Sequence, residues 1–295
     1  MFKAIRRSWS IAVASWDVLA RYPSLMILPL ISMIAIIAAA AAAFVAVVVL
    51  NGGFEQAGQF VRHIDGFWHA NALAFGAGLG IVGWVLTMIS LYANAALIFC
   101  VLRCFAGHEP SIRDGLTASF ARLPQIAGWA FVAVVVGFVT SFIQNTLKEK
   151  FGFLGNLVGG LLDFAWAVVT YFVLPVLVVE GLGPVAAIKR SSALMRQTWG
   201  ETATGSVGLG ALGFAATVPG MIFITIGVAM AITTGIDLFA AVFFVIAIVY
   251  IAAVSLVIGT LGTIFQAALY VYATTGKAPL DSTLMQSAFV PTAAK

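Results

Sequence analysis

Six long runs of apolar residues, separated by short polar breaks, constrain this chain more than any other feature of its sequence. They cover approximately residues 24–50, 72–102, 125–147, 157–180, 204–232 and 238–275. A helix needs about 20 apolar residues to cross a bilayer, and in lipid only helices and closed barrels satisfy their backbone hydrogen bonds. The runs lack the alternation of barrel strands. The sequence therefore predicts an all-α polytopic membrane helix bundle with six transmembrane helices.

The polarity of the chain agrees with this prediction. Hydrophobic residues make up 62% of the sequence and charged residues only 9%, whereas a soluble domain has about 25% charged residues. The net charge is +4, but the basic residues are spread through short segments instead of forming a run. We therefore expect them to meet anionic lipid headgroups, and we expect no nucleic-acid partner.

The distribution of positive charges predicts the orientation of the six spans. Segments at one end of the spans carry twelve of the 15 Lys and Arg residues, and the opposite segments carry only Arg62, Lys148 and Lys150. Cytoplasmic segments of membrane proteins are enriched in Lys and Arg. The sequence therefore predicts that both termini are cytoplasmic and that residues 51–71 lie on the opposite side.

A Gly-x-x-Pro motif follows each even-numbered span, at Gly107–Pro110, Gly181–Pro184 and Gly276–Pro279. Glycine can end a helix in a left-handed conformation, and proline suits the first turn of the next helix. We therefore predict a positive φ at each glycine and a helix that begins at each proline. The motif divides a single domain of residues 1–295 into parallel repeat units, which cover residues 1–103, 108–180 and 184–275 and precede a tail of residues 276–295.

Each predicted unit begins with an amphipathic stretch, at residues 2–20, 111–123 and 185–199. A helix with aromatic residues on its apolar side and Arg or Lys on its polar side lies in the membrane interface. In the first stretch, Ile11 and Val18 interrupt an otherwise regular pattern. The alternative interpretation is that any short cytoplasmic segment between spans tends to be basic and amphipathic. The predicted lipid-binding residues are Arg6, Arg7, Trp9, Trp16, Arg113, Arg122, Lys189, Arg190, Arg196 and Trp199.

Two stretches of the sequence resemble a known family. They run from Arg7-Ser8-Trp9 to Leu28-Pro29-Leu30 and from Leu174-Pro175-Val176 to Trp199-Gly200. The pattern resembles an uncharacterised family of bacterial six-span integral membrane proteins, which is a domain of unknown function. It is more loosely similar to the membrane domain of some glycerophosphodiester phosphodiesterases. The resemblance implies the fold and a multi-pass location in the bacterial cytoplasmic (inner) membrane, and it implies no activity.

Few polar side chains lie within the predicted spans, and these are the candidates for an intramembrane site. Asn94 lies in the second span, Asp163 near the outer end of the fourth span and Gln266 in the sixth span. A position at headgroup level is the competing interpretation for Asp163. Glu180 ends the fourth span, and its expected partner is Lys189, Arg190 or the next interfacial helix.

Three glycines and two prolines within the spans have structural interpretations. The segment from Gly208 to Gly213 reads G-x-G-x-x-G, but a dinucleotide site needs a strand before this motif. We expect close packing of two helices there instead. Pro175 and Pro219 lie inside predicted spans, where proline can kink a helix. We expect structural kinks at both prolines.

No set of residues in the sequence points to catalysis. His63 and His69, with Asp65 or Glu55, are the histidine-based candidates for a metal site, but zinc usually takes three or four ligands. We therefore expect no enzyme activity, no metal and no cofactor. The preferred hypothesis is a protein that organises membrane lipid or a partner membrane complex, with a homo-oligomer as a candidate assembly. The alternative is a small transporter or channel for a lipid or apolar solute.

Overall fold

The computed structural model describes residues 13–50, 64–234 and 237–276, and helices account for nearly all of them. No strand occurs in these ranges, so the prediction of an all-α protein is confirmed. A 3-10 turn, Pro23–Met26, follows the first helix. The helices are α1 (13–21), α2 (Ile27–Leu50), α3 (Ile64–Phe105), α4 (Ile112–Phe120), α5 (Leu123–Phe151), α6 (Phe153–Thr170), α7 (Val173–Val179), α8 (Pro184–Thr234) and α9 (Asp237–Thr275).

Six helical segments in the described part of the chain are long and apolar enough to cross a membrane. This confirms the prediction of six spans. They are Pro23–Ala46, Gly76–Phe105, Leu123–Phe151, Phe153–Val179, Gly208–Ile232 and Ala241–Thr275.

The third and fourth spans form a hairpin that is tighter than predicted. The sequence indicated a connection over residues 148–156, but both helices continue until Gly152 alone separates them, at φ 54° and ψ −119°. Glycine permits this reversal because it has no Cβ to oppose a positive φ. At Gly155 a Cβ would overlap the Leu147 carbonyl, so the missing side chain also lets α5 and α6 approach closely. The ring centroids of Trp129 and Trp166 stack 5.9 Å apart between these helices.

The fourth span is broken between α6 and α7. Phe172 has φ −95° and ψ 6°, and Val173 begins a new helix. The predicted kink therefore lies three residues before Pro175, which is in the first turn of α7. Proline is tolerated in a first turn because the N–H that it lacks has no intrahelical partner there.

Pro219 lies inside α8, where the backbone stays helical, and the kink expected there stays a prediction. The Tyr250 hydroxyl of α9 donates a hydrogen bond to the Ala216 carbonyl in the preceding turn, at 3.0 Å. The G-x-G-x-x-G segment is helical throughout. Its last glycine, Gly213, faces Ile258, and a Cβ there would lie 3.0 Å from the Ile258 side chain. Close helix packing at this glycine is therefore confirmed.

The described residues divide into two compact units. The first takes its residues from Met1–Ile27, Cys100–Ser111 and Ala193–Lys295, and the 3-10 turn packs against α9 within it. The second takes its residues from Leu28–Phe99 and Ile112–Ser192. In the second unit, the Tyr92 hydroxyl donates to the Leu116 carbonyl at 2.8 Å, which holds α4 against α3. The predicted threefold repeat stays a prediction.

Candidate functional site: the interfacial helices

A short break separates each predicted interfacial helix from the span that follows it, and each break contains one residue with non-helical φ and ψ. These residues are Tyr22 (φ −128°, ψ 70°), Arg122 (φ −105°, ψ 10°) and Thr198 (φ −120°, ψ 18°). Pro23 follows the first break and Pro124 the second, one and two residues on. Pro23 favours the first break because the residue before a proline is biased away from the helical conformation, and Pro124 suits the first turn of α5. No proline accompanies the third break, at Thr198.

The helix α1 has a side that is buried against protein, in addition to the apolar and polar sides of its amphipathic pattern. Ala14, Ser15 and Leu19 are buried, whereas Trp16 and Asp17 are exposed. Val18, which interrupts the amphipathic pattern, lies beside the buried residues and is itself half-buried. The interruption thus marks the side that packs against protein, while Trp16 (52% exposed) remains available to lipid.

The helix α4 buries small residues and exposes an aromatic ring. The buried residues are Gly115 and Ser119, and Phe120 is 65% exposed. On a helical wheel Phe120 lies next to Arg113, which is also exposed. An exposed aromatic ring beside an exposed cation is the combination found in interfacial helices.

The first turns of α8 show the same arrangement. Ala187, Ser191, Leu194 and Met195 are buried. On the exposed side, Val185, Lys189 and Arg196 fall close together on the helical wheel. Within the described part of the chain, no hydrogen bond or ion pair occupies the side chains of Arg113, Lys189 or Arg196.

Each of the three helices thus buries small residues, in α1 and α8 together with larger apolar ones, and leaves at least one large apolar residue exposed. Small residues let helix backbones approach closely, which is the usual basis of helix packing in membranes. The amphipathic pattern predicts an apolar side and a polar side, and it does not indicate which small residues pack against protein. The available signal was the i, i+4 spacing of small residues, as in the pairs Gly115–Ser119 and Ala187–Ser191.

Two of the predicted lipid-binding cations contact protein groups. The Arg190 Nε donates to both carboxylate oxygens of Glu180, at 3.0 and 3.2 Å, so one of the partners expected for Glu180 is confirmed. The guanidinium of Arg122 lies over Gly181, where a Cβ would overlap it. Gly181 follows the C-terminus of α7, and a cation is favoured there by the helix dipole.

The glycines of the Gly-x-x-Pro motif adopt the predicted conformation. The φ angles of Gly107, Gly181 and Gly276 are 82°, 67° and 70°. Pro184 is the first residue of α8, as predicted, whereas α4 begins two residues after Pro110. Gly107 and the next residue form the paired hydrogen bonds of a Schellman motif, which carry the chain beyond the helix end before α4 starts. Pro279 lies outside the described residues.

The structure does not bring the intramembrane polar candidates into one buried cluster. Asn94 is half-buried and its Nδ2 donates to the Ser90 carbonyl of its own helix, at 3.0 Å. Asp163 belongs to the same unit but is exposed on α6. Gln266 is half-buried on α9, in the first unit.

Several predicted residues lie outside the described part of the chain. They are Arg6, Arg7, Trp9, the side chain of Trp199 and the residues of the candidate metal site, which are Glu55, His63 and the side chains of Asp65 and His69.

The helical fold and the six apolar spans define the class of this chain, which is a multi-pass integral membrane protein. Residues 74–280, more than two thirds of the chain, match the family of unknown function DUF6159, and the chain belongs to that family. This agrees with the expected resemblance to an uncharacterised family. The match does not bear on the looser resemblance to glycerophosphodiester phosphodiesterases. Neither a curated protein nor a solved structure matches the chain.

Proposed function

We propose that this chain is a non-enzymatic protein of the bacterial cytoplasmic membrane that organises anionic lipid, or a partner membrane complex, through its interfacial helices. One observation carries the proposal: α1, α4 and the start of α8 each expose a large apolar side chain, Trp16, Phe120 and Val185. Exposed cations accompany them. An apolar residue inserts among acyl chains while a neighbouring cation meets a phosphate.

The orientation proposed for the chain places these helices on the cytoplasmic side, with both termini. The charge distribution in the sequence supports this orientation, because Arg113, Lys189 and Arg196 belong to the segments richest in basic residues. Anionic lipid is the ligand that this arrangement fits best, since the three cations are exposed and have no protein partner among the described residues. Each cation near an anionic surface contributes about 1 kcal/mol to lipid binding.

The proposal is tested by comparing lipid preference before and after removal of the free cations. The triple variant Arg113→Gln, Lys189→Gln, Arg196→Gln is purified in mild detergent beside the wild type. Binding of phosphatidylglycerol and phosphatidylcholine is then measured for both by native mass spectrometry. Three cations at about 1 kcal/mol each predict that the preference for phosphatidylglycerol falls by about a hundredfold.

The matched control is the double variant Glu180→Gln, Arg190→Gln. It removes a charged pair from the same helix region without changing the net charge, because these two side chains bond to each other. We expect it to keep the preference for phosphatidylglycerol. An unchanged preference in the triple variant, or an equal loss in the control, would contradict lipid organisation by these helices.

The transport alternative depends on a polar pathway near an interrupted helix. Such breaks mark binding sites in transporters when unwound backbone groups face a substrate. At the break in the fourth span, the Phe172 N–H donates to Ser191 Oγ at 3.0 Å, and the Ser191 hydroxyl donates to the Val169 carbonyl at 2.7 Å. The residues from Phe172 to Val178 are buried and apolar. These contacts favour a structural break, and so they favour the organising role.

A further inference from the structure

Polar side chains lie on the exposed surface of the hairpin formed by the third and fourth spans. Asp163 is on α6, and Gly152 turns the chain 11 residues before it, which is about 16 Å along the helix axis. Large apolar side chains such as Phe142 and Leu161 are exposed around it. Within the described ranges no hydrogen bond or ion pair involves the side chains of Ser141, Asn145, Asn156 or Asp163.

These polar residues alternate with small residues along two helices. On α5 the exposed residues Gly137, Ser141 and Asn145 repeat every four positions. On α6 the exposed residues Asn156, Gly160, Asp163 and Ala167 repeat every three or four positions. This spacing places each set on one side of its helix. We call these seven residues the hairpin polar face.

The contacts between α5 and α6 show that both sets lie on the same side of the hairpin. On α5, Gln144 and Leu147 face α6, and Ser141 and Asn145 lie roughly a quarter turn from them. On α6, Gly155 and Gly159 face α5, and the polar set lies roughly a quarter turn from them in the same rotational sense. Since the helices run in opposite directions, equal rotations bring both sets to one side.

The same contacts give the depth of each residue. The Gln144 Nε2 donates to the Gly159 carbonyl at 3.3 Å, so these two residues lie at one level. Asp163 is therefore level with Ser141, one turn further from Gly152. Asn145 lies about one turn nearer to Gly152 than Asp163 does, and Asn156 lies about two turns nearer. One carboxylate and three side chains that can donate hydrogen bonds thus share a small area.

A surface of this composition is unsuited to acyl chains. An ionisable side chain within a span is costly unless a partner satisfies it, and lipid tails offer no hydrogen bond. Small residues at a spacing of three or four are typical of surfaces where membrane helices meet. The donors and the acceptor on the hairpin polar face can satisfy each other when two identical surfaces meet across a twofold axis.

We propose that the hairpin polar face is the surface through which two copies of this chain associate. A twofold axis along the membrane normal places each residue of one copy at the same depth in the membrane as the equivalent residue of the other copy. Asp163 of one copy then meets Ser141, Gly160 and, about one turn away, Asn145 of the other copy. Gly137, Gly160 and Ala167 let the backbones approach closely enough for these hydrogen bonds.

Two alanines of α6 provide a matched test of this geometry. Ala167 is on the hairpin polar face, whereas Ala165 is exposed on the opposite side of the hairpin, two residues away. Each is changed to Cys in a background carrying Cys100→Ser and Cys104→Ser. A short bismaleimide is then applied to native membranes that contain the full chain. We expect a cross-linked dimer for Ala167→Cys and none for Ala165→Cys. Equal cross-linking of the two variants, or no dimer for Ala167→Cys, overturns the proposal.

The role of the carboxylate is tested separately by association in detergent. Energy transfer between labelled copies is measured as the protein is diluted. Asp163→Leu removes the hydrogen bonds from both sides of the twofold axis, so we expect the dissociation constant to rise about tenfold or more. Asp163→Asn keeps hydrogen-bonding capacity and should stay within about threefold of the wild type. If Asp163→Leu associates as tightly as the wild type, Asp163 faces lipid and the proposal is wrong.

Discussion

The hydroxyl of Ser191 is expected to stabilise the break in the fourth span. Ser191 is fully buried and belongs to α8. It accepts a hydrogen bond from the Phe172 N–H and donates one to the Val169 carbonyl. These two backbone groups flank the break, where the regular helical pattern stops. The Ser191 hydroxyl thus bonds to two backbone groups at a point where the regular backbone hydrogen bonds of the helix are interrupted.

Replacing Ser191 with Ala removes both hydrogen bonds and adds little cavity volume. A buried polar group without a partner costs about 1–3 kcal/mol. Because two groups are affected and part of the loss is recovered by relaxation, we expect the free energy of unfolding to fall by about 2–3 kcal/mol. The measurement is an SDS titration in mixed micelles, followed by circular dichroism.

The neighbouring residue supplies the control. The Ser192 hydroxyl donates to the Lys189 carbonyl within its own helix, at 2.8 Å. Ser192→Ala should therefore change the free energy of unfolding by less than about 0.5 kcal/mol. Hydrogen exchange adds a local test, because the Phe172 amide should exchange faster in Ser191→Ala while amides of α9 keep their rates. Equal stability of the two variants would refute the assigned role of Ser191.

The remaining predictions concern the helix ends and the surface ion pair. Gly276→Ala should cost about 1–2 kcal/mol of unfolding free energy, since alanine is strained at φ 70°. Gly262→Ala, within the same helix and facing open space, should be neutral or stabilising by up to about 1 kcal/mol. If both substitutions have the same sign in SDS titrations, the helix-end interpretation fails. A double-mutant cycle on Glu180 and Arg190 should give a coupling of about 0.2–1 kcal/mol, because the pair is partly exposed. A coupling above about 2 kcal/mol would show that the pair is more buried than the structure indicates.

The sequence by itself determined the number of spans and the three Gly-x-x-Pro glycines at which helices end. A run of apolar residues long enough for a bilayer has few alternatives to a spanning helix, because backbone groups in lipid must bond within the segment. The positive φ of Gly107, Gly181 and Gly276 was likewise predictable, since it follows from the local demand of a helix end. Short-range charge complementarity likewise predicted a cation beside Glu180, and the structure selected Arg190 among the candidates.

Tertiary structure decided which faces these helices bury and which residues meet. The burial of Gly115 and Ser119 depends on how closely another helix approaches, and periodicity carries no information about that distance. The contact between Ser191 and the Phe172 amide joins residues 19 positions apart, at a break that lies three residues before the proline that predicted it. The outward position of Asp163 depends on how α6 is rotated against α5. That rotation is set by the contacts of Gly155 and Gly159 with α5, which exist only once the hairpin has formed.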